Sequence, residues 1–288
     1  MSRRIEILEV GFLSLYKRFS HTNRKSVYDV MRMDRRPAND GQPWTRDQLI
    51  LAFELYCRIP FQRTKATEPR VKDLAKSLHR TPASVARKLG NFGAFDPQLA
   101  ARSISGLTHG SKLDRAVWDE FHSDWNTLIV RAESLRSQLE PQESLEEAFN
   151  VPAGPSEQVV TRKQRLHQSF FREAVISSYN ARCCITGLPI VECLVAGHII
   201  PWSVDERRRA DPTNGLCMSA TFDRLFDCGL MAIEDNLSLV VSKRVRDLKD
   251  LAVAEMVGKK HGQKMFPPAR FYPDPVCLRW HREHVFRN

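Results

Sequence analysis

Apolar positions fall into two regimes along the chain. Between Trp44 and Leu139 they recur at three- and four-residue intervals, as in helices that bury one face. Beyond Thr161 that spacing gives way to short apolar runs divided by turns, which predicts a mixed α+β unit. In the first regime, Thr45 followed by Gln48 is a capping box. Leu49, Ala52, Phe53 and Tyr56 then share one face until Pro60. Val71, Leu74, Ala75 and Leu78 make a second stripe. Val85, Ala86 and Leu89 make a third, after a turn at His79-Arg80. Thr81 is the expected N-cap of that third helix, Pro82 its first residue, and Gly90 or Gly93 its end. Ser111 and Asp114 cap a last helix, apolar at Leu113, Val117, Phe121, Leu128, Ala132, Leu135 and Leu139. Read as one piece it runs roughly 28 residues, well beyond the average globular helix.

In the second regime, Thr161 to Cys183 predicts a helix with Phe171, Val175 and Tyr179 on one face. CITG and LPIVE predict a turn leading into a strand, and LVAGHII a second strand. SVDERRRADPT is a polar loop. Asn214 to Leu230 begins irregular and becomes helical. LMAIEDNLSLVVS predicts a hairpin about Glu234-Asp235-Asn236. The stretch between the two regimes is acidic and carries three prolines, which marks a linker. The expected organisation is a basic extension over 1–43, an all-α unit over 44–140, a linker over 141–160 and an α+β unit over 161–288.

The formal net charge of +10 favours polyanionic partners, nucleic acid first. The two short helices about the His79-Arg80 turn fit a helix-turn-helix, with Ser84, Arg87 and Lys88 facing outward as DNA contacts. An ordinary bundle with a solvated basic face fits the same pattern. No apolar run approaches the ~20 residues of a membrane span. Glu6 and Glu9 interrupt what would be the apolar core of a leader, so a cytoplasmic protein without membrane contact is expected. The seven cysteines are odd in number and irregular in spacing, and they form no CxxC pair. That pattern predicts reduced thiols and neither a disulfide framework nor a four-cysteine zinc site.

The segment from Leu194 to Leu230 concentrates the chemistry: His198, Asn214, Asp223 and Asp227. A neutral imidazole can take a proton from water near neutral pH. Asp223 and Asp227 lie four residues apart, on one face of a helix, and can share a cation. Carboxylates are hard oxygen donors, which favours Mg²⁺ or Mn²⁺. Arg207, Arg208 and Arg209 in the polar loop, and Arg282 near the C-terminus, are candidate phosphate contacts.

Four blocks occur in order: FRxxVxxxYxxRCxITG, AGHIIPW, NGLxxSxxxDxLFDxGL and FYPDPxxLxWHREHVF. Together they resemble the HNH nucleases, and more narrowly the branch found in restriction-like bacterial proteins. The residues over about 44–120 also resemble a region that often precedes this nuclease domain. The resemblance implies a ββα-metal fold, with His198 as general base and Asn214 holding the base loop or reaching the metal. It places Asp223 and Asp227 as metal ligands. Many members carry a further ligand just before the base, where this chain has Gly197. Many also hold a structural zinc on two CxxC pairs; here Ser219 and Phe222 stand at the second pair, so no structural zinc is expected. The implied activity is metal-dependent DNA cleavage in restriction or host defence. A DNA-binding regulator that keeps the fold without cutting is the alternative, and RNA cleavage a third reading. One site cuts one strand at a time, so double-strand cleavage would call for a homodimer or sequential nicking.

Overall fold

The computed structural model describes residues 37–104, 106, 110–139 and 155–288. Helix α1 (Arg46–Arg58) opens on the expected capping box of Thr45 and Gln48 and stops short of Pro60. It lies at the centre of the first core, with Leu49, Ile50, Phe53 and Tyr56 buried. Helices α2 (Pro69–Ser77) and α3 (Pro82–Phe95) flank the turn at His79, whose φ of 51° lets the chain reverse. Thr81 caps α3 by accepting from the Ser84 amide. Contrary to expectation, α3 runs through Gly90 and Gly93 to Phe95. Gly93 is an interior packing position, because a Cβ there would lie 2.2 Å from the Phe61 ring. Asp96 ends α3 and caps the short α4 (Pro97–Ala101), while its Oδ2 accepts from the Tyr56 hydroxyl.

The predicted long helix is two helices, α5 (Lys112–Phe121) and α6 (Trp125–Leu139). Ser111 and Asp114 form the expected capping box at the start of α5. The break falls at Asp124, whose carboxylate accepts from the Thr127 amide and so restarts the helix. The chain thereby folds α6 back beside α1.

Residues 140–154, most of the expected linker, lie outside the described residues, as do 1–36 of the basic extension. Helix α7 (Pro155–Ser178) already begins within the expected linker. One face of α7 enters the first core through Phe170 and Ala174. The other enters a second core through Phe171 and Val175, followed by Tyr179. Arg270, fully buried, donates to the carbonyls of Tyr56 (2.8 Å) and Ile59 (2.7 Å) at the end of α1. Ser177 donates to the Cys57 carbonyl at 2.9 Å. A buried guanidinium and a hydroxyl, both donating to carbonyls across the two cores, fix one against the other.

The second core holds two antiparallel pairs. Strand β1 (Leu194–His198) pairs with β2 (Gly215–Ser219) from Leu194 opposite Ser219 to His198 opposite Gly215. Strands β3 (Met231–Ile233) and β4 (Leu239–Val241) form the hairpin expected about Glu234. Helix α8 (Ala220–Asp227) follows β2 directly. The β-β-α order therefore exists, but on other strands than expected. LPIVE is irregular and ends in a 3₁₀ turn at Val191–Cys193. GLCMS, expected as irregular chain, is β2. Four of its five residues are buried, so it lacks the apolar-polar alternation that marks a half-exposed strand. Cys183 anchors the entry to this unit: its Sγ accepts from the amides of Ile185 (3.4 Å), Thr186 (3.4 Å) and Ser219 (3.2 Å). The short helices α9 (Lys243–Arg246) and α10 (Leu251–Met256) lead to α11 (Pro275–His284), which packs on β3. Among the described residues no helix is long and apolar enough to cross a membrane.

Candidate active site

His198 closes β1, and its ring stacks on Phe171 of α7 with centroids 3.6 Å apart and planes 6° from parallel. Trp202 meets the ring edge-on at 5.7 Å. The Nε2 atom lies 3.0 Å from the Arg209 carbonyl. A carbonyl can only accept, so the hydrogen sits on Nε2 and the neutral ring keeps its lone pair on Nδ1. Burial pulls the His198 pKa below its ordinary 6.5, against the opposing pull of the Arg209 carbonyl. The ring is therefore neutral and able to accept a proton at neutral pH.

Asn214, 1% exposed, precedes β2 and clasps the loop behind His198. Its Oδ1 accepts from the Ile200 amide (2.8 Å), and its Nδ2 donates to the carbonyls of Ile200 (3.0 Å) and Arg208 (3.4 Å). With both ends of the amide engaged, Asn214 holds the loop whose Arg209 carbonyl meets the His198 ring. Asn214→Asp sets an oxygen against the Ile200 carbonyl. We expect a loss of about 1–3 kcal/mol or more, the penalty of a buried polar group left without its partner. Denaturant titration measures it, and an unchanged midpoint would contradict the clasp.

Helix α8 brings Asp223 against β1 one residue before His198. A Cβ built on Gly197 would stand 2.3 Å from Asp223 Oδ1. The Asp223 carboxylate thus fills the space that a side chain at 197 would need. That oxygen is buried without a hydrogen-bond partner. Burial first, and the charge of Asp227 second, push the Asp223 pKa up to about 6. The Asp227 carboxyl is raised as well, since partial withdrawal from water outweighs the nearby Arg224. Two carboxylates held together, one with an orphaned oxygen, are a donor set that a hard divalent cation would satisfy. Among the described residues no group of three or more His, Cys, Asp or Glu is disposed to hold a metal ion. Water and substrate oxygens would have to supply the remaining ligands.

The expected DNA contacts divide sharply. Arg87 and Arg207 are exposed, and Ser84 is half-buried with its amide in the Thr81 cap. Lys88 was expected to face outward, but its Nζ lies 2.9 Å from the buried Asp114 and over the Trp44 ring. Arg208 pairs with Asp274 at 2.8 Å and donates to Cys277 Sγ. Arg209 pairs with Glu206 at 2.9 Å and lies over Trp202. Arg282 donates to the Ile233 carbonyl and to Asp235, both at 2.7 Å. Lys88, Arg208 and Arg282 are thus spent inside the protein, because each has a carboxylate within reach of its folded position. Residues that sequence reasoning passed over are Phe171 and Trp202, which frame the imidazole. The pairing of an apolar helix position with a strand-end His leaves no local signal in the sequence.

Residues 183–234 match the family model described as HNH endonuclease. The span contains β1, the loop, β2, α8 and β3, so this part of the chain is an HNH domain, of a class that carries nuclease activity. No curated protein matches the chain.

Proposed function

We propose that the chain is a divalent-cation-dependent DNA endonuclease acting in the cytoplasm in restriction or host defence. The observation that carries this reading is the imidazole of His198, with Nε2 tied to a carbonyl and Nδ1 left as the proton acceptor, on the strand whose Gly197 packs against the partnerless Asp223 oxygen. In the reaction, Nδ1 takes a proton from the attacking water, and Arg209 and Asn214 keep the ring in the required tautomer and place. Asp223 and Asp227 would hold Mg²⁺ or Mn²⁺, and a bound cation supplies charge stabilisation at the phosphate and the leaving oxygen. Residues 161–288 form the nuclease unit in this reading. Residues 44–140 form a DNA-binding unit built on α2 and α3, with Arg87 and Ser84 at its outer face and Arg207 on the nuclease side.

The test is supercoiled plasmid incubated with Mg²⁺, with Mn²⁺ and with a chelator. Nicked or linear product is expected with the cations and none with the chelator. The sparse donor set gives the non-cutting regulator its footing. Tight, salt-sensitive binding with no product under any divalent ion would sink the nuclease reading in its favour. Preferential cutting of single-stranded RNA in the same assay would replace DNA as the substrate.

A further inference from the structure

A cavity of about 560 Å³ opens beside the imidazole, between α6, α7 and the loop behind β1. That volume suits a small-molecule-sized guest, within the roughly 300–1,000 Å³ of ligand pockets. Trp202 and Arg209 line it, and both also touch His198, one by ring edge and the other by its carbonyl. Lys163 and Arg207 bring positive charge to its walls, while Glu206 is taken up by Arg209. Two polar atoms in its lining lack partners. His167 is 6% exposed, yet its Nε2 has no hydrogen-bond partner. Asn126 spends its Nδ2 on the carbonyls of Glu206 and Arg207, and leaves Oδ1 buried and unbonded.

The character of these atoms restricts the guest. Burial first, and the charge of Lys163 second, hold the His167 pKa below its ordinary 6.5 against a hydrogen bond to the Asn126 backbone, so the ring is neutral and donates to that backbone. The Nε2 of the neutral ring is then an acceptor, as Asn126 Oδ1 is. Buried acceptors without donors cost free energy, and a guest that brings N–H groups removes that cost. An aromatic face, two acceptors and nearby cations match a flat ring with an amino group joined to a phosphate.

We propose that this cavity holds one nucleotide of the substrate strand beside the scissile phosphate, and that it favours bases with an exocyclic amino group over thymine. In this arrangement Trp202 covers the base face, His167 and Asn126 accept from the amino group, and Lys163 and Arg207 meet the phosphate. The placement in the strand rests on the nuclease reading; the nucleotide chemistry of the cavity does not.

The experiment has two arms. In the first, calorimetry on the full chain without metal measures binding of the monophosphates of deoxyadenosine, deoxycytidine, deoxyguanosine and thymidine. Thymidine monophosphate is expected to bind at least ten-fold more weakly than one or more of the others. His167→Phe, which keeps a ring and removes the acceptor, should abolish that difference, with Lys163→Gln weakening all four alike. Thermal unfolding verifies that both variants fold. No binding of any monophosphate, or equal binding of all four, overturns the proposal whether or not the chain cuts DNA. In the second arm, the ends of plasmid fragments are sequenced. Depletion of thymine at one fixed position beside the cut, relaxed by His167→Phe, supports the strand placement. Discrimination among free monophosphates with no bias at the cut ends, or with no cutting at all, overturns that placement.

Discussion

His198→Ala is expected to reduce plasmid cleavage by about 10²–10⁴-fold, the contribution of a positioned general base, with DNA binding retained. The ring stacks on Phe171 of the second core and bonds to the Arg209 carbonyl, so the variant loses stability as well as the base. A folding defect and a missing base are told apart by adding imidazole, which should restore part of the rate where a base is missing. The pH profile of the parent gives a second check. The His198 pKa lies below 6.5, so its proton-accepting form persists as pH falls from neutrality to that value. The acid limb of the parent should therefore lie below pH 6.5. A variant that cuts at the parental rate would remove His198 from the mechanism.

Much of this fold is written locally. Thr45 with Gln48 and Ser111 with Asp114 announce two helix starts, because a cap and its partner sit three residues apart. The order of His198, Asn214 and the two aspartates announces the ββα unit. What escaped local reading depends on distant partners. Asp124 looks like a solvated helical acid until its carboxylate is seen to restart the chain as α6. Strand β2 begins on the Gly of an Asn-Gly pair that on its own signals a turn, and it is made continuous by burial on both faces. Basic residues were the least legible. Arg208 and Arg87 look alike in the sequence, yet Asp274 claims one and the other stays exposed. Arg270 gives no sign that it closes the end of α1.

Gly197 was the position where the sequence lacked a ligand, and it yields the second large effect. Its backbone has an ordinary φ, so a methyl group is opposed by contact alone: Asp223 Oδ1 at 2.3 Å and the Met218 methyl at 3.0 Å. Both neighbours are side-chain ends, so the fold can accept alanine by moving them. Met218 can yield without consequence for the chemistry, but Asp223 cannot. Gly197→Ala should therefore leave the unfolding temperature within a few degrees and lower cleavage on the order of a hundredfold, the cost of misplacing a functional group by about an ångström. A double-mutant cycle with Asp223→Asn tests whether the loss runs through the carboxylate. The combined variant should cut no worse than Asp223→Asn alone, since no carboxylate is left for the alanine to misplace. Independent, multiplying losses would mean that Gly197 serves the backbone of β1 and not the carboxylate. At this position the space a side chain would need is taken by the Asp223 carboxylate of α8, so glycine and carboxylate are packed as a pair.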